Sequence, residues 1–276
     1  MSKDEYKKYV NTYLFGKNEV DRYLKTGTNL SRIQKEQDFN KDYAFYATHK
    51  KHDKDMYSGL FGKNLQNRAK YSGEENPEIY QLQIKNTQKL KMPSDQNAAN
   101  ITRELLKDDE FKNNLRLSIE DSKSIMKRPS QQVVFNKALH DLDQDKISNK
   151  GMLNMYQALN ITLVNHQPFE NEVQNRFYSE LKKNGYSAII DVNDQKYSSY
   201  HAKQPVIVFD TDKVKLQSVM KMDSQQIDKL YSYYNTERIV KDTIYNLTSL
   251  PAQTTRQSMN YAQDYVNRKT DNYLND

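Results

Sequence analysis

No cysteine occurs anywhere in the chain, which excludes disulfides, thiolate metal sites and a cysteine nucleophile. Apolar residues are scarce too, 36% of 276 positions, against about 45–50% in an ordinary globular domain. No run approaches the ~18 apolar residues that cross a bilayer. The N-terminus, Met1-Ser2-Lys3-Asp4-Glu5-Tyr6, carries no apolar signal region. The expected setting is therefore the cytoplasm, or a particle that packages the chain without secretion, with no membrane partner. Also missing are a Gly-Lys-Ser/Thr phosphate loop, a Gly-x-Gly-x-x-Gly turn and a Gly-x-Ser-x-Gly elbow, which argues against common nucleotide hydrolysis and serine hydrolysis.

What is there is patterned. Net charge is +6, from 42 basic and 36 acidic residues, too diffuse for a dedicated DNA-binding face. The densest basic stretch holds Lys50, Lys51, Lys54 and Lys63, a solvated helix face or a site of weak nucleic-acid contact. Of the five histidines, His49 and His52 are three apart, but no acidic ligand stands at metalloprotease spacing. Asp141-Leu142-Asp143-Gln144-Asp145 opens like a calcium loop. Lys146 takes the place of the obligatory glycine and Met152 that of the bidentate glutamate, so the oxygen cage cannot close.

Helices are expected at 2–15, 18–26 and 55–71, and strands at 43–48, 79–84 and 90–92. The middle is helical: Ser94 is placed to cap a helix carrying Ile101 and Leu105. Apolar stripes follow at Phe111/Leu115/Ile119, Phe135/Ala138/Leu142, Met152/Met155/Tyr156/Leu159 and Val173/Phe177/Leu181 until Gly185 stops the chain. Two apolar strands, 187–192 and 206–210, suit central positions buried on both faces. After Asp223 the stripes at Ile227/Leu230/Tyr231/Tyr234 and Val240/Ile244/Leu247 predict a long helix, then a second beyond Pro251. The chain divides into N-terminal helices (1–42), an α+β core (43–222) and a C-terminal helical appendage (223–276).

The most site-like stretch is the strand and loop from Gly185 to Tyr200. Asp191, Asn193, Asp194, Lys196, Tyr197 and Tyr200 follow a buried strand within ten residues. Such a loop either presents polar groups from a rigid scaffold or fixes its own backbone as an Asx-rich turn. A metal-dependent nuclease built on Asp191 and Asp194 lacks further ligands.

The order of Tyr43–Thr48, Tyr57-Ser58-Gly59-Leu60, Ile79–Leu82, Leu90–Ser94, Gly185–Ile189 and Val206–Val214 resembles ADP-ribosyltransferase-like domains. These are fused to phage minor head proteins of MuF type and to polyvalent proteins of mobile genetic elements. The resemblance spans about residues 20–216. It implies a split, mixed β-core binding NAD in a cleft, and transfer of ADP-ribose to a protein or nucleic-acid acceptor. It places an Arg on the first strand, for which Arg22 and Arg32 are available, and a second-strand Tyr46 or Thr48. Tyr43 and Tyr57 join the arginines as NAD-contacting candidates. The family's late Glu is missing, Gln204-Pro205 standing there, so Asp191 or Asp194 must supply the carboxylate. The alternative is a non-catalytic accessory or virion protein.

Overall fold

The computed structural model describes residues 21–34, 44–72, 78–86, 88–144, 146–163, 172–198, 200 and 202–248. Tyr43, the expected helices at 2–15 and beyond Pro251, and most of the 1–42 segment lie outside them. The architecture is α+β. Strands β1 (Arg22–Leu24), β2 (Asn29–Gln34) and β3 (Phe45–Thr48) precede helix α1 (Lys51–Ser72), then β4 (Glu78–Ile84) and β5 (Leu90–Met92). Five helices follow, α2 (Asp95–Leu105), α3 (Asp109–Ile125), α4 (Pro129–Leu142), α5 (Asn149–Thr162) and α6 (Glu172–Lys183). The chain then returns through β6 (Ala188–Ile190), β7 (Pro205–Val208), β8 (Val214–Lys221) and α7 (Ser224–Thr248).

A six-stranded sheet runs in the order β6-β7-β3-β2-β4-β8, and β1-β5 forms a separate ribbon. Every pairing is antiparallel, where the resemblance implied a mixed core. The sheet is nearly divided in two. β2 and β3 meet at one pair, Ser31 opposite Thr48, whereas β2 and β4 share six.

Period-two alternation assigns the faces. Phe45, Ala47, Ala188, Ile190, Val206 and Val208 point into one core, closed by Leu24, Leu90 and Met92 of the ribbon. Ile189 and Ile207, between them in sequence, point into the other, against α2–α6. Strands buried on both faces read as continuous apolar runs, which is why they were legible. The helical stripes are buried as expected, Phe111, Leu115, Ile119, Phe135, Met155 and Phe177 all fully. Ser94 caps α2 by accepting from the Asn97 amide at 3.1 Å. Gly185 ends α6 with φ +77°, the left-handed conformation glycine adopts freely, as the Gly185 and Tyr186 amides bond back to Lys182 and Leu181.

Three expectations need correction. Of the helix expected at 18–26, the described part from Asp21 on is the strand β1 and a turn at Gly27 (φ +76°), because Leu24 is required over the sheet. β8 gave no alternation signal because, after Val214, all its residues are exposed on the sheet's outer strand. The C-terminal helix is docked instead of standing apart: Ile227 of α7 is buried with Met222 and with Ile79 of β4.

Candidate functional site

β6 ends at Ile190 and the backbone turns at once. The buried Asn160 side chain of α5 donates to the Ile190 carbonyl at 2.9 Å and accepts the Val192 amide at 2.8 Å. One amide side chain thus continues the ladder where no strand is available. Residues Asn193–Tyr197 form a single π-helical turn, closed by the Ser198 amide on the Asn193 carbonyl at 2.7 Å. The Asp191 carboxylate caps this turn, accepting the Asp194 amide at 2.9 Å. Gln131 of α4 donates to Asn193 at 2.8 Å, and Lys196 pairs with Asp95 at 3.4 Å. The loop is thus held from three helices, through Asp95 of α2, Gln131 of α4 and Asn160 of α5.

Asp194 receives the Tyr57 hydroxyl of α1 at 3.0 Å. Burial pushes its carboxyl up to about 6, against the opposing hydrogen bonds from Ser198 and Tyr57. Asp191, 1% exposed, is also pushed well above the ordinary carboxylate range, by burial first and then by Asp194. Two carboxyls that disfavour each other's charge share this strand end.

Tyr46 projects from β3 and donates to the Leu163 carbonyl at 2.6 Å. Burial raises its phenol, with Tyr178, Asp191 and Asp194 adding to the rise and Arg32 opposing it. Arg32 lies on β2 opposite Tyr80, and burial lowers its guanidinium, with Tyr46 and Tyr80 counteracting. Arg32, Asp191 and Asp194 thus each act electrostatically on Tyr46, which stands beside the near-split of the sheet. Both arginines prove to be in strands, but Arg22 belongs to the β1-β5 ribbon, opposite Met92.

Thr48 is committed elsewhere. Its hydroxyl donates to Asp53 at 3.2 Å and accepts the Lys50 amide at 3.2 Å. Asp53, fully buried in the first turn of α1, also takes the backbone amides of Lys203 and Gln204 at 2.8 Å each. Sequence reasoning missed Asp53; the available signal was an acid in a helix's first turn, too common to single out. Of the basic stretch, Lys51 pairs with Asp55 at 3.5 Å and Lys63 with Asp228 at 2.9 Å, so part of its charge is matched. Among the described residues no group of three or more acids and histidines could hold a metal ion. Nor is any helix there long and apolar enough to cross a membrane.

An outer shell of rings closes the site. Tyr200 meets Tyr57 edge-on with centroids 4.8 Å apart, and lies parallel to Phe61 at 6.3 Å. Chemically, the arrangement offers a carboxyl raised to about 6 beside a phenol donor, and a half-buried guanidinium across the sheet.

Comparison of the chain with protein-family models, with curated proteins and with solved structures gave no match.

Proposed function

We propose that this chain is a mono-ADP-ribosyltransferase of a phage or mobile element, with NAD as donor substrate and a protein or nucleic acid as acceptor. The observation that carries the reading is the position of Tyr46 at the near-split between β2 and β3, where Arg32 on one side and Asp191 and Asp194 on the other all act on its phenol. Arg32 and Tyr46 are of the residue types the resemblance calls for, and Asp191 or Asp194 stands in for the Glu that is missing at Gln204. Fold analogy alone would not license a function, so the reading stands on this arrangement.

The roles follow from the chemistry of each group. Arg32, whose charge is disfavoured by burial, gains most from a pyrophosphate beside it. The Tyr46 ring offers a stacking face, its hydroxyl being fixed on Leu163. Asp194 is the better of the two acids for proton transfer. Asp191 is occupied in capping the turn, whereas Asp194 titrates at about 6. NAD supplies ADP-ribose when its ribose–nicotinamide bond breaks. Asp194 takes the proton the acceptor sheds as it bonds to the ribose.

A second reading, a non-catalytic accessory or virion protein, is favoured by a specific observation. Gln204 offers no carboxylate at β7, and its backbone amide is fixed on Asp53. One experiment separates the readings: NAD binding by calorimetry, with nicotinamide release measured beside it, for wild type, Arg32→Ala and Asp194→Asn. The transferase reading expects Arg32→Ala to weaken binding and Asp194→Asn to abolish release while sparing binding. Wild-type protein that neither binds nor consumes NAD leaves the accessory reading.

A further inference from the structure

We infer that β8 is a self-complementary edge through which two copies of this chain join into one continuous sheet. β8 is the outer strand of the six, and among the described residues it pairs with β4 alone. Its other side offers a row of backbone donors and acceptors, a template for one more strand. Such edges are usually short or polar. β8 runs for eight residues and carries Leu216, Val219 and Met220 at 41%, 42% and 44% exposed.

A bulge decides what fits there. β4 and β8 pair from Glu78 opposite Lys221 to Gln81 opposite Ser218, skip Gln217, and resume with Leu82 opposite Leu216. Directly opposed residues share a face. Leu216 and Val219, three apart, are thereby both placed on the face of Leu82 and Tyr80, where a regular strand would send them to opposite faces. Leu82 and Tyr80 are buried on that face, in the core that Val214 also enters. Val214 and Lys221 share it, opposite Ile84 and Glu78. Lys215, Ser218 and Met220 take the other face, opposite Gln83, Gln81 and Ile79, and the Gln217 amide joins them by donating to Gln83 at 2.7 Å.

This arrangement of faces is the same read from either end. In an antiparallel pair of β8 strands centred between Gln217 and Ser218, Leu216 of one copy opposes Val219 of the other. Lys215 then opposes Met220, Val214 opposes Lys221, and every opposed pair shares a face. The two bulges meet as two residues against two, so neither leaves a residue unmatched across the join. Leu216, Val219 and their copies form one apolar quartet, which continues the core under Leu82 and Tyr80 from one chain into the next. Centring the pair on Ser218 instead sets Leu216 against Met220 from the wrong face and Lys215 against Lys221, like charges directly opposed. The lysines, an edge's ordinary protection, act here against the wrong register and spare the right one.

The test uses the full chain, whose lack of cysteine makes introduced thiols unambiguous. Sedimentation equilibrium should show the mass rising with concentration to twice that of the monomer. Val219→Lys, a charge at an exposed position in the quartet, should lose the dimer and keep the wild-type melting temperature. Leu216→Cys and Val219→Cys are then oxidised separately and as a mixture. Opposed residues bring their Cβ atoms to about 4.5–5.5 Å, close enough for a disulfide after a small adjustment, whereas each of these residues stands farther along the strand from its own copy. The mixture should therefore yield several-fold more cross-linked dimer than either variant alone. A chain that stays monomeric at every concentration overturns the proposal, even if the edge then accepts a strand of another protein. A dimer that survives Val219→Lys, or whose mixture cross-links no better than the single variants, has its interface elsewhere and overturns it equally. If Val219→Lys does not fold, the cross-linking pattern decides.

Discussion

Asp53 and Gln204 are 151 residues apart, and the carboxylate of the first accepts the backbone amide of the second at 2.8 Å. The same carboxylate holds the Lys203 amide and the Thr48 hydroxyl. The first turn of α1 thereby pins the end of β3 to the start of β7, the two strands that flank the candidate site. Asp53→Ala leaves three donors without their acceptor, each worth about 1–3 kcal/mol when buried. Partial hydration offsets some of this, so urea denaturation should show a loss of about 3–5 kcal/mol. Thr48→Val, which removes one of the three, should cost about 1 kcal/mol. Equal losses in the two variants would show that the backbone amides find other partners.

Gly185 tests a different cost. At φ +77°, with nothing within 4 Å of where a Cβ would stand, Gly185→Ala meets only backbone strain. A loss of about 1 kcal/mol is expected in the same assay. A loss several times larger would mean that the α6–β6 turn is more crowded than its geometry implies.

How much of this was readable in advance depends on whether the signal was local. Ile189 and Ile207 announce their strands because both faces of the sheet are covered there, and Phe111, Leu115 and Ile119 keep helical spacing. Arg22–Leu24 reads locally as helix and becomes a strand only through its pairing with Leu90–Met92, a tertiary effect outweighing propensity. Lys215–Lys221 is exposed throughout and joins β4 by its backbone and by polar side chains, Gln217 on Gln83 and Lys221 near Glu78, so no apolar pattern betrays it. Asp191 and Asp194 stood out as a polar cluster after an apolar strand. Tyr57 was expected to contact NAD and not Asp194, and Asn160 was not singled out at all, because each reaches the loop from a helix far away in sequence. The docking of α7 was hidden for a related reason: Gly59 and Gly62 look like helix-weakening residues until Leu230 and Ile227 are seen against them.

Asp194 also predicts a pH dependence of stability. Its folded carboxyl titrates near 6, above its value of 3.8 in the unfolded chain, mainly because of burial. Between those values the folded state holds a proton that the unfolded state has released. Stability therefore falls as pH rises from about 4 to about 6 and levels off above. Asp191, raised in the same direction, adds to the slope. Urea denaturation at half-unit intervals should show this fall in wild type and a shallower one in Asp194→Asn. A slope of the opposite sign, or one unchanged by the substitution, would remove Asp194 as its source.

The Tyr57 hydroxyl gives the most specific test of the chemistry. Its hydrogen bond to Asp194 lowers that carboxyl's pKa, opposing burial. Tyr57→Phe removes the bond and keeps the ring against Tyr200, so the carboxyl should titrate at a higher pH. If ionised Asp194 accepts the acceptor's proton, activity rises with pH through an acidic limb set by that carboxyl. In Tyr57→Phe the limb should move upward, lowering turnover by roughly tenfold below pH 6 for a one-unit shift and leaving it nearly unchanged at pH 8. Binding of NAD, measured at both pH values, should change little, because the substitution touches the acid and not Arg32. Asp194→Asn should abolish the limb together with turnover. An acidic limb that stays in place in Tyr57→Phe would show that another group sets it. A loss of turnover equal at all pH values would show that the hydroxyl orients the loop and leaves proton transfer to a different acid, of which Asp191 is the nearest available.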